Sequence, residues 1–285
     1  MISDALEDLG SPMPATQIRW LGPLSMFSGL ACGYGAVVCG LGQVGITVLA
    51  VTFFAAANMI PNEADSLSTL CLICFLLGGI MGFGGAAQMG DPRLPLFLVV
   101  VALFHITEFT FCVLFHEKEI EFRAFLLTPV PAAGYSVAII AAMLEFWLWH
   151  ATGLTLPGIL QSTLLLLGAS LAFGGWALRT AALFTARSNF THIVASYKES
   201  SHRLVKEGVY SFCRHPGYVG WFLWSVSTQV LLRNVFCFFA YAWVSWRFFA
   251  GRIPHEEDML IRFFGDEYVE YATHVRCGIP YVSRL

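Results

Sequence analysis

The 285-residue sequence predicts an all-α, polytopic integral membrane protein of about eight transmembrane helices, with its chemistry in the C-terminal third. Three observations carry that prediction. Hydrophobic residues make up 57% of the chain and charged residues only 12%, about half the charged share of soluble domains, which is roughly 25%. The apolar residues collect in runs of about 20, the length at which an α-helix crosses the hydrocarbon core of a bilayer with its backbone groups paired internally. Lysine and arginine collect in alternate connecting segments, the bias that orients membrane helices.

Taken in order, the chain begins with an acidic leader bearing Asp4, Glu7 and Asp8. It has no basic n-region and no small-residue cleavage site, so the first span is expected to stay as a signal anchor. Spans are expected at 20–41, 43–59, 66–86, 95–115, 130–150, 158–184, 217–232 and 234–250. Gly42 alone separates the first two, and Arg233–Asn234 the last two, which predicts two tight helical hairpins. Their members are slightly short for a perpendicular crossing, so six or seven spans is an open alternative.

With a cytosolic N-terminus, eight crossings place both termini in the cytosol. The loop 116–129 then puts Lys118 and Arg123 inside. Segment 187–216 adds Arg187, Lys198, Arg203, Lys206 and Arg214, and the tail adds Arg252, Arg262, Arg276 and Arg284. Only Arg93 and Arg233 fall on the opposite side, as the positive-inside rule requires. The sequon Asn189-Phe-Thr191 becomes cytosolic and unmodified. A net charge of −3 points to no nucleic-acid partner.

Several polar or small-residue features read as structural. Cys71-Leu-Ile-Cys74 has no second cysteine pair or spaced histidine, so no metal is expected. The glycines at 33, 35, 40 and 42 and at 78, 79, 82, 84 and 85 lie inside spans, where they suit close helix packing rather than a nucleotide loop. His105 with Glu108, and Glu145 with His150, place ionisable groups within spans. Such groups suggest function, and a proton path remains open beside structural pairing, which the reading favours.

Residues 1–186 are almost entirely membrane, whereas 187–216 and 251–285 hold the chemistry-capable side chains and flank the hairpin 217–250. A hairpin returns the chain to where it left, so the two polar segments converge into one composite cytosolic site. Pro254 is expected to end or kink the last span near Ile253. A new helix then starts at Pro254, with Glu256 and Glu257 in its first turn, where the helix dipole favours carboxylates. Met259, Leu260, Phe263, Phe264 and Tyr268 repeat at three and four, an amphipathic face for the membrane surface. Gly265 is the expected break. Arg252 and Glu256 would meet Tyr210, Arg214 and His215 from across the hairpin. An arginine fork suits a carboxylate, and a glutamate suits an ammonium or a ribose diol.

The motifs "RHPGYVG" (Arg214–Gly220), "WRFF" (Trp246–Phe249), Arg252 followed by Glu256–Glu257, "FFGDEYVEY" and "GIPYV" together resemble the isoprenylcysteine carboxyl methyltransferases. The match runs from about Asn189 to Val282. This family consists of endoplasmic reticulum membrane enzymes that methylate the C-terminal prenylcysteine of processed CaaX proteins, small GTPases and lamin-like proteins among them. The resemblance implies S-adenosylmethionine as methyl donor, no metal, and the lipid bilayer as a partner. It implies cofactor contacts from Ala195, from His202, Arg203, Leu204 and Val205, from Tyr210, from His215, Pro216, Gly217 and Tyr218, and from Glu256. Arg252 corresponds to the arginine that holds the substrate carboxylate. Ala195 stands where the family pattern commonly has Gln. Residues 187–285 would be the catalytic region and 1–186 a transmembrane N-terminal region of about six spans. A sterol reductase or a phospholipid methyltransferase of related C-terminal architecture is the rival within enzymology. An ion-coupled transporter built on the in-span histidines and glutamates is the rival from another class.

Overall fold

The computed structural model describes residues 24–29, 31–33, 72–74, 76–80, 91–116, 120, 122–126, 134–192, 194, 197–198 and 202–282. Those residues form helices and short 3-10 turns with no strand among them. The first three expected spans, and the hairpin at Gly42, lie mostly outside the described residues; helical stretches at 24–29, 31–33, 72–74 and 76–80 are what is seen of them. The chain divides into two compact units, Met1–Ile140 and Ala141–Leu285.

In the first unit, α1 (Arg93–Phe115) is followed by a 3-10 turn, Phe122–Phe125. The ring of Phe109 stacks on Phe125 with centroids 4.0 Å apart. His105 is fully buried: Nδ1 lies 2.6 Å from the Phe125 carbonyl and Nε2 2.7 Å from the Tyr135 hydroxyl. This ring is a satisfied structural histidine, held by Tyr135 and the Phe125 carbonyl.

α2 (Gly134–Ala151) leads into the second unit, which continues with α3 (Gly158–Ala186), α4 (Pro216–Leu232), α5 (Val235–Phe264) and α6 (Asp266–His274). Among the described residues α1, α2 and α3 are long and apolar enough to cross a membrane, and they match the expected spans 95–115, 130–150 and 158–184. α3 leaves Ile159, Leu166 and Leu167 exposed, an apolar surface suited to lipid.

The buried residues of α3 include Gly168, Ala172, Gly175, Arg179, Ala182 and Ala186, a seam repeating at three and four. Small residues there let α4 approach backbone to backbone, the usual device for packing helices in lipid. A Cβ at Gly175 would lie 2.4 Å from the Trp224 nitrogen and 2.7 Å from the Gly220 carbonyl; one at Gly220 would lie 2.6 Å from the Arg179 nitrogen.

Pro216 occupies the first turn of α4, where its missing N–H costs nothing. Arg233 in the left-handed region (φ 62°) and Asn234 then turn the chain into α5, as the sequence predicts. The start of α5 is capped from α2: the Glu145 carboxylate accepts the N–H groups of Phe236 (2.8 Å) and Cys237 (2.7 Å), and the Trp149 indole N–H (3.1 Å). A carboxylate at a helix N-terminus satisfies orphan donors and complements the dipole. Glu145 is therefore structural, and its partner is a helix about 90 residues away, not His150.

α5 corrects one expectation. It runs unbroken through Pro254 for 30 residues. Pro254 removes one ladder hydrogen bond, but Ile253 and Glu257 on either side of it are both completely buried. Packing and ion pairing on that face hold the helix together where propensity alone would end it. The break falls at Gly265, whose φ of 57° turns the chain into α6. The tail then folds back: Cys277, Ile279 and Val282 pack with Tyr218, Phe249 and Ile253, and the Trp246 indole donates to the Pro280 carbonyl at 3.0 Å.

Candidate active site

The hairpin α4–α5 brings the two ends of its helices together, and between them runs a continuous chain of polar contacts. At one end Arg214 donates from Nε (2.9 Å) and Nη2 (2.7 Å) to Glu257 Oε1. Its Nη1 donates to the carbonyls of Ala272 (3.0 Å) and Val275 (2.6 Å), at the C-terminus of α6. His215 Nε2 lies 3.1 Å from the same Glu257 oxygen, and Nδ1 lies 3.7 Å from Glu256 Oε1. Successive glutamates of α5 thus meet the two nitrogens of one imidazole. The Tyr218 hydroxyl donates to Glu256 Oε2 and accepts from Arg252 Nε at 2.7 Å. Arg252 Nη2 donates to the His192 carbonyl.

Charges in this chain hold one another in place. Burial opposes ionisation of Glu257, yet the His215 and Arg214 hydrogen bonds outweigh it and pull its pKa down to about 2. Burial likewise opposes the charge on Glu256, and His215 and Tyr218 overcome it, leaving a carboxylate below its usual range. His215 is pushed the other way: burial disfavours its cation, but the two glutamates win and raise its pKa. The result is an alternation of the Arg214 guanidinium, the Glu257 carboxylate, the His215 imidazole, the Glu256 carboxylate and the Arg252 guanidinium.

A cavity of about 140 Å³ opens against this chain. Of the residues expected at a cofactor site, His202, Arg203, Leu204, Val205, Tyr210, His215, Gly217, Tyr218 and Glu256 all line it. Pro216 does not, being occupied with starting α4, and Arg252 sits behind Tyr218 rather than on the wall. Ala195 lies outside the described residues. Met259, Leu260, Phe263 and Phe264 turn their amphipathic face to the cavity, so the stripe assigned to the membrane surface is in part a cavity wall.

The segment between α3 and α4 is laced to this wall. Asn189 Oδ1 accepts the Arg203 N–H at 2.8 Å, and Nδ2 donates to the Ala186 carbonyl at 3.3 Å; the sequon asparagine is used internally. Lys198 Nζ donates to the Phe263 carbonyl at 2.7 Å, near the C-terminus of α5, where a cation suits the dipole. The Tyr271 hydroxyl donates to the Tyr210 carbonyl at 2.6 Å.

Sequence reasoning missed one residue, Arg179, and the role of another, Glu257. Arg179 is buried in the α3 seam, donates to the Gly217 carbonyl at 3.4 Å and lies over the Phe190 ring at 4.9 Å; both partners line the cavity. An arginine inside an otherwise apolar span was the signal available. Glu257, completely buried, holds Arg214, His215 and the Tyr268 hydroxyl (3.3 Å), a role only the fold reveals. His215, Glu257 and Cys277 also bring ligand-capable atoms within 4.8 Å of one another. The Arg214 guanidinium already neutralises that carboxylate, so a metal ion would sit beside a fixed cation.

Comparison with known proteins follows the same residues. The family model for the isoprenylcysteine carboxyl methyltransferase family matches residues 166–262. The protein-S-isoprenylcysteine O-methyltransferase of Mus musculus is 39% identical over 214 residues, covering 74% of this chain and 74% of that protein. The Saccharomyces cerevisiae protein of the same name is 35% identical over 222 residues, covering 76% of this chain and 93% of that protein. A solved structure of the eukaryotic intramembrane Ras methyltransferase, an isoprenylcysteine carboxyl methyltransferase without a monobody, aligns with a TM-score of 0.75 at 31% identity, over 94% of this chain and 98% of that one.

Proposed function

The chain belongs to the isoprenylcysteine carboxyl methyltransferase family, and from that premise we propose how its site works. It is a membrane methyltransferase that esterifies the C-terminal α-carboxylate of a prenylated cysteine. The donor is S-adenosylmethionine, the substrates are processed CaaX proteins of the small GTPase and lamin-like kinds, and no metal takes part. The enzyme resides in the endoplasmic reticulum membrane with about eight spans and both termini cytosolic. Residues 187–285 form the catalytic region.

One observation carries the site assignment: Arg252 and Glu256, a helical turn apart on α5, both engage the Tyr218 hydroxyl beside the cavity. The cavity offers the ionised Glu256 together with an apolar wall of Leu204, Leu260 and Phe263. That mixture fits a ligand combining a purine nucleoside with a charged amino-acid tail. Glu256, His202, Tyr210, His215 and the 203–205 backbone would hold it. S-adenosylmethionine, when bound, supplies a methyl group made electrophilic by a sulfonium charge.

The protein's residues have little proton chemistry to do. An α-carboxyl group titrates near 3.3–3.7, so the nucleophile is ionised at neutral pH and needs no general base. Alignment is the main contribution, and orientation can remove several kcal/mol of barrier, up to about 7–11. Arg252 positions the carboxylate; tying part of its guanidinium to Tyr218 and His192 keeps it from binding that carboxylate so tightly that attack slows. Opposite charges cancel as the ester forms, so a site drier than water favours the reaction. A site at the membrane boundary gives the prenyl chain an apolar route and the donor a cytosolic one.

Incubating the purified protein with labelled S-adenosylmethionine and N-acetyl-farnesylcysteine should yield a base-labile methyl ester. Absence of ester, with no donor bound, would overturn the proposal.

A further inference from the structure

Tyr218 lies between the two groups assigned to two different ligands. Its ring is buried, stacked on the His215 imidazole (5.6 Å, 10° between planes) and tilted against Phe249 (4.9 Å), so the hydroxyl has little freedom to move. A phenol carries one hydrogen to give and lone pairs to accept. Glu256 is a carboxylate and takes that hydrogen; Arg252 has only hydrogens to give, and its Nε donates to the same oxygen. The hydroxyl therefore has its polarity set by Glu256 and passes that setting to Arg252.

The consequence for Arg252 is geometric. With Nε held by Tyr218 and Nη2 by the His192 carbonyl, the guanidinium plane is fixed, and Nη1 makes no hydrogen bond among the described residues. Nη1 and the second hydrogen of Nη2 are the donors left for an incoming carboxylate. When a ligand engages Glu256, the Tyr218 bond must tighten, loosen or redirect, and the only other polar group on that oxygen is Arg252.

We infer that Tyr218 is a positioning residue whose hydroxyl couples donor binding at Glu256 to carboxylate binding at Arg252. This inference rests on the donor reading above. Coupling of this kind is reciprocal: each ligand changes the affinity for the other by the same factor. No hydrogen bond joins Glu256 to Arg252 directly, so beside their through-space attraction the Tyr218 hydroxyl is the hydrogen-bonded link between them. A ring without a hydroxyl keeps the packing against His215 and Phe249 but breaks the link.

The test measures binding rather than turnover. The affinity of N-acetyl-farnesylcysteine is determined by calorimetry on the full chain in nanodiscs, with and without saturating S-adenosylhomocysteine. In the unaltered protein the ratio of the two affinities should exceed about 5-fold, the lower end of typical couplings. In Tyr218→Phe it should fall at least halfway toward 1, while the affinity for S-adenosylhomocysteine alone changes by much less than it does in Glu256→Ala. A Tyr218→Phe protein that keeps the full ratio overturns the inference, as does an unaltered protein that binds both ligands with a ratio of 1. Failure of the unaltered protein to bind S-adenosylhomocysteine at all would instead refute the donor reading, and the inference with it.

Discussion

Removing the Arg214 side chain tests the internal logic of the site most severely. The guanidinium makes four hydrogen bonds, two to Glu257 and two to carbonyls at the end of α6. Its side chain is 2% exposed and that of Glu257 0%. Taking away one partner of a buried pair costs about 3–5 kcal/mol, because the remaining charge is stranded. Each lost bond to a carbonyl adds about 0.5–1.5 kcal/mol. The His215 imidazole and Tyr268 hydroxyl still face Glu257 and soften the loss, so Arg214→Ala should cost about 4–5 kcal/mol in all. Equilibrium unfolding of the purified protein by sodium dodecyl sulfate in mixed micelles, followed by circular dichroism, measures it. The decisive comparison is the double variant. Arg214→Ala with Glu257→Gln removes the stranded charge and should be more stable than Arg214→Ala alone by about 2 kcal/mol. A single variant within about 1 kcal/mol of the parent, or a double variant no better than the single, would refute the account of this pair as a mutually compensated buried ion pair.

Other substitutions separate the remaining roles. Arg252→Ala should abolish most turnover while leaving donor affinity near normal, and Glu256→Ala should chiefly weaken donor binding; radiolabel transfer and calorimetry distinguish them. Gly175→Val should drive α3 and α4 apart, since even a Cβ meets the Trp224 backbone at 2.4 Å, and should cost more than about 3 kcal/mol in the same unfolding titration. Glu145→Ala should cost about 1–3 kcal/mol by exposing unsatisfied N–H groups at the start of α5, seen as a lower thermal midpoint. Stability should also depend on pH with two signs. Glu257 is held below its ordinary value of 4.5, so its contribution is complete above that value and is lost as pH falls toward about 2. His215 is raised above 6.5, so its contribution is complete below 6.5 and is lost as pH rises through the raised value. Glu257→Gln should flatten the acid limb, and His215→Gln the alkaline limb.

What the sequence made legible was governed by short-range rules. Apolar run length located α1 to α3 within a few residues, and the two-residue separator Arg233–Asn234 predicted the α4–α5 turn. The convergence of Arg252 and Glu256 with His215 followed from the hairpin alone. What it hid depended on partners far along the chain. Glu145 looked like a mate for His150, five residues on, but it caps a helix that begins at Val235. Pro254 looked like a terminator because local propensity says so; burial of Ile253 against Tyr218 and the tail, and of Glu257 against Arg214, overrides it. Arg214 was expected to face Arg252 and Glu256 from across the hairpin. It does line the cavity, but its hydrogen bonds go to Glu257 and to the end of α6.

The unbroken α5 makes the site part of a lever. Thirty residues at 1.5 Å each give a rod of about 45 Å, gripped at Phe236 and Cys237 by Glu145 and carrying Arg252 about four turns further on. A tilt of only about 5° about that grip displaces Arg252 by about 2 Å, from the helical rise over about four turns. Misplacement of about 1 Å can cost on the order of 100-fold in rate. A helix broken at Pro254 would have absorbed such a tilt in its joint. A continuous one delivers it to Arg252 and Glu256, so the turn farthest from the chemistry sets the aim of the residues that perform it.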